Sequence, residues 1–252
     1  MTQLSVIIIT RNEELNIRRC LDSLKGLANE ILVVDDNSSD RTAEICRAEG
    51  CRVMTHDFEG FGRQKQYATE NALYDWVLSV DADEVVTPEL SLEIKELMAA
   101  AEIPNAGYRI PFSVFYLGRR MKHSGMGKES HLRLFDRRKG RFTIDPVHEG
   151  IVVEGPAGRL LHPMHHYSYR DLFHHLDKIN LYTTAAAEGY VRKGKKFNPW
   201  TAALKFPVSF FTFYFIKGGI LDGYPGFMWS FLAAVYGSLK IAKTIELSKP
   251  KA

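Results

Sequence analysis

Apolar runs of strand length alternate with helical patterns along the first hundred positions. Leu4–Thr10 (LSVIIIT) is a continuous β-branched run, which reads as a strand buried on both faces of a parallel sheet. Asn12 is placed to cap a following helix, in which Leu15, Ile17, Cys20, Leu21 and Leu24 recur at roughly helical spacing. Glu30–Asp35 (EILVVD) reads as a second buried strand, and the polar turn Asn37–Asp40 opens a helix carrying Ala43, Ile45 and Cys46. Arg52–Thr55 predicts a short third strand, residues 62–72 a helix, and Trp76–Val80 a fourth strand. Strands alternating with helices call for a parallel α/β sheet with right-handed crossovers. The layout is Rossmann-like, without a G-x-G-x-x-G motif.

After Pro88 a helix is expected to about Ala101, and then the pattern changes. Tyr108–Leu117, His131–Phe135, Ile151–Glu154 and Arg159–Leu161 read as short strands separated by Gly and Pro, a mixed extension of the sheet. Tyr169–Lys193 predicts a helix with Leu172, Leu176, Ile179, Tyr182 and Ala186 along one face. From Phe197 the composition shifts. Residues 206–216 (FPVSFFTFYFI) and 227–242 are almost wholly apolar, yet each falls short of the ~20 residues that span a bilayer. They read as one or two amphipathic helices lying in a membrane interface; the alternative is a helix pair capping the domain with a basic rim. The expected division is a domain of 1–196, with a nucleotide-binding half (1–100) and an acceptor half (101–196), followed by a helical tail of 197–252.

The 252-residue chain carries a net charge of +3, and that balance is uneven. Residues 190–252 hold ten Lys/Arg and two acids, a balance of +8, which leaves −5 for residues 1–189. A basic, aromatic tail suits an anionic phospholipid surface. Nucleic acid is not expected, because no binding motif accompanies the charge. Cys20, Cys46 and Cys51 have no metal-binding spacing. Met1-Thr2-Gln3 leads directly into the first strand, so reduced thiols and a cytoplasmic address without a targeting segment are expected.

Two acidic clusters fall at predicted strand ends, where parallel sheets bind ligands. Asp35-Asp36-Asn37-Ser38-Ser39-Asp40 follows the second strand. A carboxylate there can accept from a ribose hydroxyl or a base N–H, although the turn could serve only to cap the next helix. Asp81-Ala82-Asp83-Glu84 follows the fourth strand. Acids at i and i+2 can share one divalent cation, and Mg2+ or Mn2+ favours oxygen ligands plus substrate phosphates.

Together with Ser5–Glu13 and Val33–Thr42, these clusters resemble the family 2 glycosyltransferases of the GT-A fold, over residues 4–100. The resemblance implies that Thr10, Asn12 and Glu13 line a nucleotide pocket and that Asp36 reads the base, usually uracil. It further implies that Asp83 ligates the metal, with Asp81 near the ribose or the ion. Gly60–Lys65 would approach the donor, with Arg63 or Lys65 meeting the diphosphate, unless both are ordinary basic surface residues. Arg133-Leu134-Phe135, Val147-His148-Glu149, a His-rich strand, a Lys–Asn–Tyr helix and Leu221-Asp222-Gly223 resemble a narrower group, the lipopolysaccharide inner-core glucosyltransferases.

Inverting transfer needs one general base for the acceptor hydroxyl. Glu149 is the candidate and Asp145 the rival; His148 would orient the base or the acceptor. Arg133 either binds a phosphate of acceptor or donor, or braces an acidic neighbour. Of His162, His165 and His166, either of the last two could complete a metal shell, while the cluster is poor as a zinc site. His174 and His175 are expected to be ordinary helix residues. The expected function is metal-dependent, inverting transfer of a hexose, glucose foremost, from a UDP-sugar to a membrane glycolipid such as lipopolysaccharide core heptose, at the inner face of the bacterial inner membrane. A polyprenyl-phosphate glycosyltransferase and a non-catalytic membrane scaffold of the same fold are the rivals.

Overall fold

A computed structural model describes residues 2–127, 129–143 and 150–249. Asp145, His148 and Glu149 lie outside the described residues. In chain order the elements are β1 (Leu4–Thr10), α1 (Ile17–Ser23), β2 (Glu30–Asp35), α2 (Thr42–Ala48), β3 (Arg52–Thr55), α3 (Phe61–Asn71), β4 (Trp76–Ser79), β5 (Glu84–Val86) and α4 (Pro88–Ala99). Then come β6 (Gly107–Tyr116), β7 (Arg119–Arg120), β8 (Ser130–Asp136), β9 (Gly140–Phe142), β10 (Ile151–Val153), β11 (Ala157–Arg159) and β12 (Met164–His166). The helices α5 (Leu172–Arg192), α6 (Pro199–Phe211) and α7 (Gly223–Leu247) complete the chain, with a π turn at Thr212–Ile216 and a 3-10 turn at Gly219–Asp222 between the last two.

The chain forms two compact units. Met1–Phe112 with Glu129–His166 makes the first, and Ser113–Lys128 with Tyr167–Ala252 the second. The sequence expectation groups α5 with residues 1–196; packing groups it with the C-terminal helices.

The first unit holds the mixed sheet flanked by helices that the sequence predicts. Its strands run β3-β2-β1-β4-β8-β6-β12-β5, with β11 also paired to β6; the end of β6 and its partner β7 fall in the second unit. β3, β2, β1 and β4 are parallel, and β8 then runs antiparallel to both β4 and β6. β1 is apolar apart from Ser5 and Thr10 because both its faces are covered. Leu4, Val6 and Ile8 pack with Ile17, Leu21, Leu90 and Ile94, while Ile7 on the opposite face joins Leu32, Ala68 and Phe135. Each such side chain contributes about 1.5–3 kcal/mol by leaving water. The buried Glu30 carboxylate accepts from Ser5 Oγ (2.5 Å), Leu73 N–H (2.7 Å) and Arg52 (2.9 Å), so one polar group ties β1, β2 and β3 together.

Local departures from the sequence expectation have physical causes. Asn12 does not cap α1: its backbone is left-handed (φ 54°), its N–H donates to Ser38 Oγ (2.9 Å), and its side chain accepts from Ser39 N–H (2.8 Å). α1 begins only at Ile17, which leaves Leu15 exposed. β5 is an additional strand at Glu84–Val86, formed because β12 pairs with it antiparallel, His166 opposite Glu84. The expected strand at Arg159–Leu161 falls instead at Ala157–Arg159, and Leu160 is buried.

In the second unit α5 starts at an Asp171 cap, whose side chain accepts from His174 N–H (2.7 Å). Its buried face runs through His175, Ile179, Thr183 and Ala187, which shares only Ile179 with the stripe that the sequence suggests. The cause is an aromatic cluster of Tyr116, Tyr169, His175 and Trp229, in which the Tyr116 hydroxyl lies 2.8 Å from His175 Nδ1. α6 and α7 are separated by a 67° bend. Gly218 turns left-handed there (φ 71°), and a Cβ on Gly219 would sit 2.6 Å from Ser124 Oγ. Among the described residues no single helix is long and apolar enough to cross a membrane.

Candidate active site

The carboxyl ends of β1 and β2 lie side by side, with Thr10 opposite Asp35. Beyond them the chain makes an interlocked polar turn. Asp35 is buried and accepts from both Ser38 N–H (2.9 Å) and Ser38 Oγ (2.6 Å). Asp40 accepts from Thr42 Oγ (2.5 Å) and Glu14 N–H (3.2 Å), and Thr42 Oγ accepts in turn from Glu13 N–H (2.8 Å). The left-handed Asn37 donates from its amide to Asp57 (2.7 Å). These bonds hold Asp36 in place. It is buried, accepts from Phe58 N–H (3.2 Å), and pairs with the exposed Arg11 at 2.8 Å. Thr10 Oγ is buried without a hydrogen-bond partner among the described residues.

The second cluster is built at the end of β4, across β1 from β2. Asp81 Oδ1 lies 2.9 Å from Lys65 Nζ, and its Oδ2 lies 2.9 Å from Arg133 Nη2. The same Arg133 nitrogen reaches Glu84 Oε1 at 2.6 Å, and the other Glu84 oxygen accepts from Asp81 N–H (2.8 Å). Glu84 is wholly buried, and Arg133 stacks over Phe112 at 5.4 Å. Asp83 faces His166, with Oδ2 3.4 Å from Nε2. Sequence-distant elements thus converge: α3 brings Lys65, β8 brings Arg133 and β12 brings His166.

The charges are tuned by this packing. Burial raises the Asp81 carboxyl, but the Arg133 and Lys65 cations outweigh it and hold the group well below the usual carboxylate range. Glu84 goes the other way. Desolvation dominates, Asp81 and Asp83 add to it against Arg133 and His166, and the group is pushed up to about 7. His166 is lowered by burial and raised more strongly by Asp83, so it ends above its ordinary value.

Of the residues singled out in the sequence, Thr10, Asn12, Glu13 and Asp36 gather at the first turn, and Lys65, Asp81, Asp83, Arg133 and His166 at the second. Arg63 sits on the exposed side of α3, paired with Glu59 at 3.1 Å. His165 neighbours His166 on β12 and so projects to the opposite face of the strand. His162 lies 2.9 Å from Glu93. Glu84 received no role from the sequence, because its partner Arg133 is 49 positions away. Its one signal was an acid placed directly after a D-x-D at a buried strand end.

Among the described residues no three His, Cys, Asp or Glu side chains are arranged to hold a metal ion. Asp83 and His166 offer one carboxylate and one imidazole. The carboxylate fits Mg2+ or Mn2+, which bind through one or two carboxylates and complete their shells with water and substrate phosphates, and the imidazole could join them only after giving up the proton that pairs it with Asp83.

Residues 5–155 match the family described as Glycosyl transferase family 2. The lipopolysaccharide core biosynthesis glycosyltransferase LpsC of Rhizobium meliloti is 32% identical, over 99% of this chain and 94% of its own. An uncharacterised glycosyltransferase of Rickettsia typhi is 31% identical, over 98% of this chain and 88% of its own. Among solved structures, S. aureus TarS 1-349 in complex with UDP-GlcNAc is 27% identical over 47% of this chain and 36% of that one, with a TM-score of 0.38.

Arg133→Met is expected to destabilise the protein by about 3 kcal/mol, because it leaves the wholly buried Glu84 without its cation and Asp81 with Lys65 alone. The sign with pH follows from Glu84, whose folded value of about 7 exceeds its ordinary 4.5. The folded state therefore holds the extra proton between those values, and stability falls as pH rises through that window. Without Arg133 the folded value moves higher still. The deficit of the variant in urea midpoint should thus be larger at pH 8 than at pH 5, and an equal deficit at both would contradict the assignment.

Proposed function

The chain belongs to glycosyl transferase family 2, and we propose that it moves a hexose, glucose foremost, from a UDP-sugar to a membrane-bound glycolipid such as a lipopolysaccharide core heptose. One observation carries this reading: two acidic clusters, Asp36 and Asp81–Asp83, stand at the carboxyl ends of strands on either side of β1, with the buried cations Lys65 and Arg133 against the second. A nucleotide laid across β1 would meet hydrogen-bond acceptors at one end and positive charge at the other. Asp36 would accept from the base, and Thr10, Asn12 and Glu13 would line the nucleotide pocket beside it, Asn12 and Glu13 held by their N–H bonds to Ser38 and Thr42. Lys65 and Arg133 now neutralise Asp81; beside a donor they would bind the diphosphate and stabilise its charge as it leaves. Asp83 and His166 would hold Mg2+ or Mn2+, which when bound neutralises charge on the leaving diphosphate. Glu149 remains the proposed general base, with Asp145 as rival and His148 as its orienting neighbour. The LpsC likeness supports the acceptor class.

The second unit supports a membrane address at the inner face of a bacterial inner membrane. Trp200, Leu204, Val208, Phe211 and Phe215 recur at helical spacing and are all exposed, Trp200 to 74%. Lys193, Lys195 and Lys196, also exposed, precede them. An apolar stripe flanked by lysines suits the interface of an anionic bilayer.

Two measurements test this reading. Incubation with UDP-, GDP- and dTDP-sugars, with and without Mn2+ or Mg2+, is expected to release nucleotide diphosphate from one UDP-sugar only with metal. Asp83→Ala should reduce the rate at least about a hundredfold, the scale of a lost transition-state charge contact. No release with a lipid-linked core acceptor present, and no nucleotide binding, would point to the scaffold instead. Separately, cosedimentation with phosphatidylglycerol vesicles should fall severalfold in Trp200→Ser/Leu204→Ser. Unchanged sedimentation would remove α6 from the membrane contact.

A further inference from the structure

The helices of the second unit enclose a cleft of about 310 Å3 that the proposed chemistry does not use. Its size is at the lower end for small-molecule sites, which hold about 300–1,000 Å3. Ile179, Phe213, Trp229, Leu232 and Ala233 supply the apolar part of its wall, Tyr169, His175, Tyr182, Ser209 and Tyr236 border them, and no carboxylate or amide side chain lines it. The surface that the cleft leaves open is mostly apolar, which suits a hydrocarbon chain better than a sugar or nucleotide. The wall also carries two cations, Lys205 of α6 and Lys240 of α7. Neither has a carboxylate within 4.0 Å among the described residues. Lys240 Nζ sits over the rings of Tyr190 (5.3 Å) and Tyr236 (5.4 Å). The stem of Lys205 crosses α7 at Gly237, where a Cβ would stand 3.4 Å from Lys205 Cε. Gly237 and Lys240 are one helical turn apart, so the Lys205 stem and Lys240 meet the same stretch of α7.

We propose that this cleft binds one acyl chain of an anionic membrane phospholipid, with the phosphate held by Lys205 and Lys240. Charge complementarity selects the occupant. The cleft offers an apolar wall for the chain and two cations for the head, of which Lys205 lies on α6, the helix that begins the exposed apolar stripe from Trp200 to Phe215. A lipid seated there would fasten the unit to a bilayer one molecule at a time, in addition to non-specific adsorption. The inference uses none of the transferase chemistry, so it stands or falls on lipid binding alone.

The test uses the full chain carrying Trp200→Phe, and lysophosphatidylglycerol with a dibrominated acyl chain, below its micellar concentration. Bromine quenches indole on contact, and Trp229 is in the wall. Saturable quenching with one lipid per protein is expected, and it should disappear in Trp229→Phe. Ala233→Phe, which fills the cleft, should weaken binding at least about tenfold. Lys205 is exposed and can be changed without disturbing a core. Lys205→Glu should weaken the anionic lipid about tenfold, the scale of one charged hydrogen bond, and leave the matching lysophosphatidylcholine unchanged. Absence of quenching below the micellar concentration would overturn the proposal, as would quenching indifferent to both Ala233→Phe and Lys205→Glu. Displacement by a lipid-linked sugar acceptor but not by phosphatidylglycerol would overturn it too, by making the cleft an acceptor subsite. Vesicle binding that fails while this quenching persists would reject the adsorbed stripe and leave the cleft standing.

Discussion

Three carboxylates within four residues, at the end of a strand that is buried from Trp76 onward, cannot remain there without positive charge. Asp81, Asp83 and Glu84 repel one another, and Glu84 has no exposed surface to dissipate its charge into water. Two cations answer this. Arg133 bridges Asp81 and Glu84, and Lys65 closes on the other oxygen of Asp81. Each is delivered by a different element. β8 must pair antiparallel with β4 to bring Arg133 in, and α3 must pack beside β1 to bring Lys65. β12 must close on β5 to set His166 against Asp83. The arrangement of the first unit beyond its parallel half can be read as the set of pairings that compensates one acidic strand end.

The same compensation accounts for the proposed chemistry. A site that holds two cations against a carboxylate is already organised for a second anion, provided that anion binds the cations at least as well as Asp81 does. A diphosphate has more acceptor oxygens and more charge than one carboxylate, and a divalent ion at Asp83 would draw it closer. Reorganisation is then small, because the cations exchange one partner for another without entering or leaving water.

The parallel half of the fold was legible because its signals are local. Runs such as Leu4–Thr10 and Glu30–Asp35 need no partner to be read, and acids at the ends of such runs mark the ligand edge. What the sequence concealed depends on distance along the chain. Asn12 looks like a helix cap, yet it locks to Ser38 and Ser39, some 26 positions on, in a left-handed conformation that no neighbour announces. β5 is three residues long and exists because β12 pairs with it. His175 reads as an ordinary helix position, but the Tyr116 hydroxyl 59 positions earlier selects which face of α5 is buried. Arg133 was open between phosphate binding and bracing an acidic neighbour; the structure places it in the second role, and the first is what the proposed function adds.

The claim that Lys65 compensates Asp81 in the free protein and would then receive a diphosphate is tested most directly by calorimetry of UDP and of uridine, each with Mn2+, on the wild type and on Lys65→Met. The account predicts that UDP binds about tenfold more weakly to the variant, as expected for one charge-assisted hydrogen bond, while uridine is unaffected. UDP binding that is unchanged, or uridine weakened to the same degree, would contradict it.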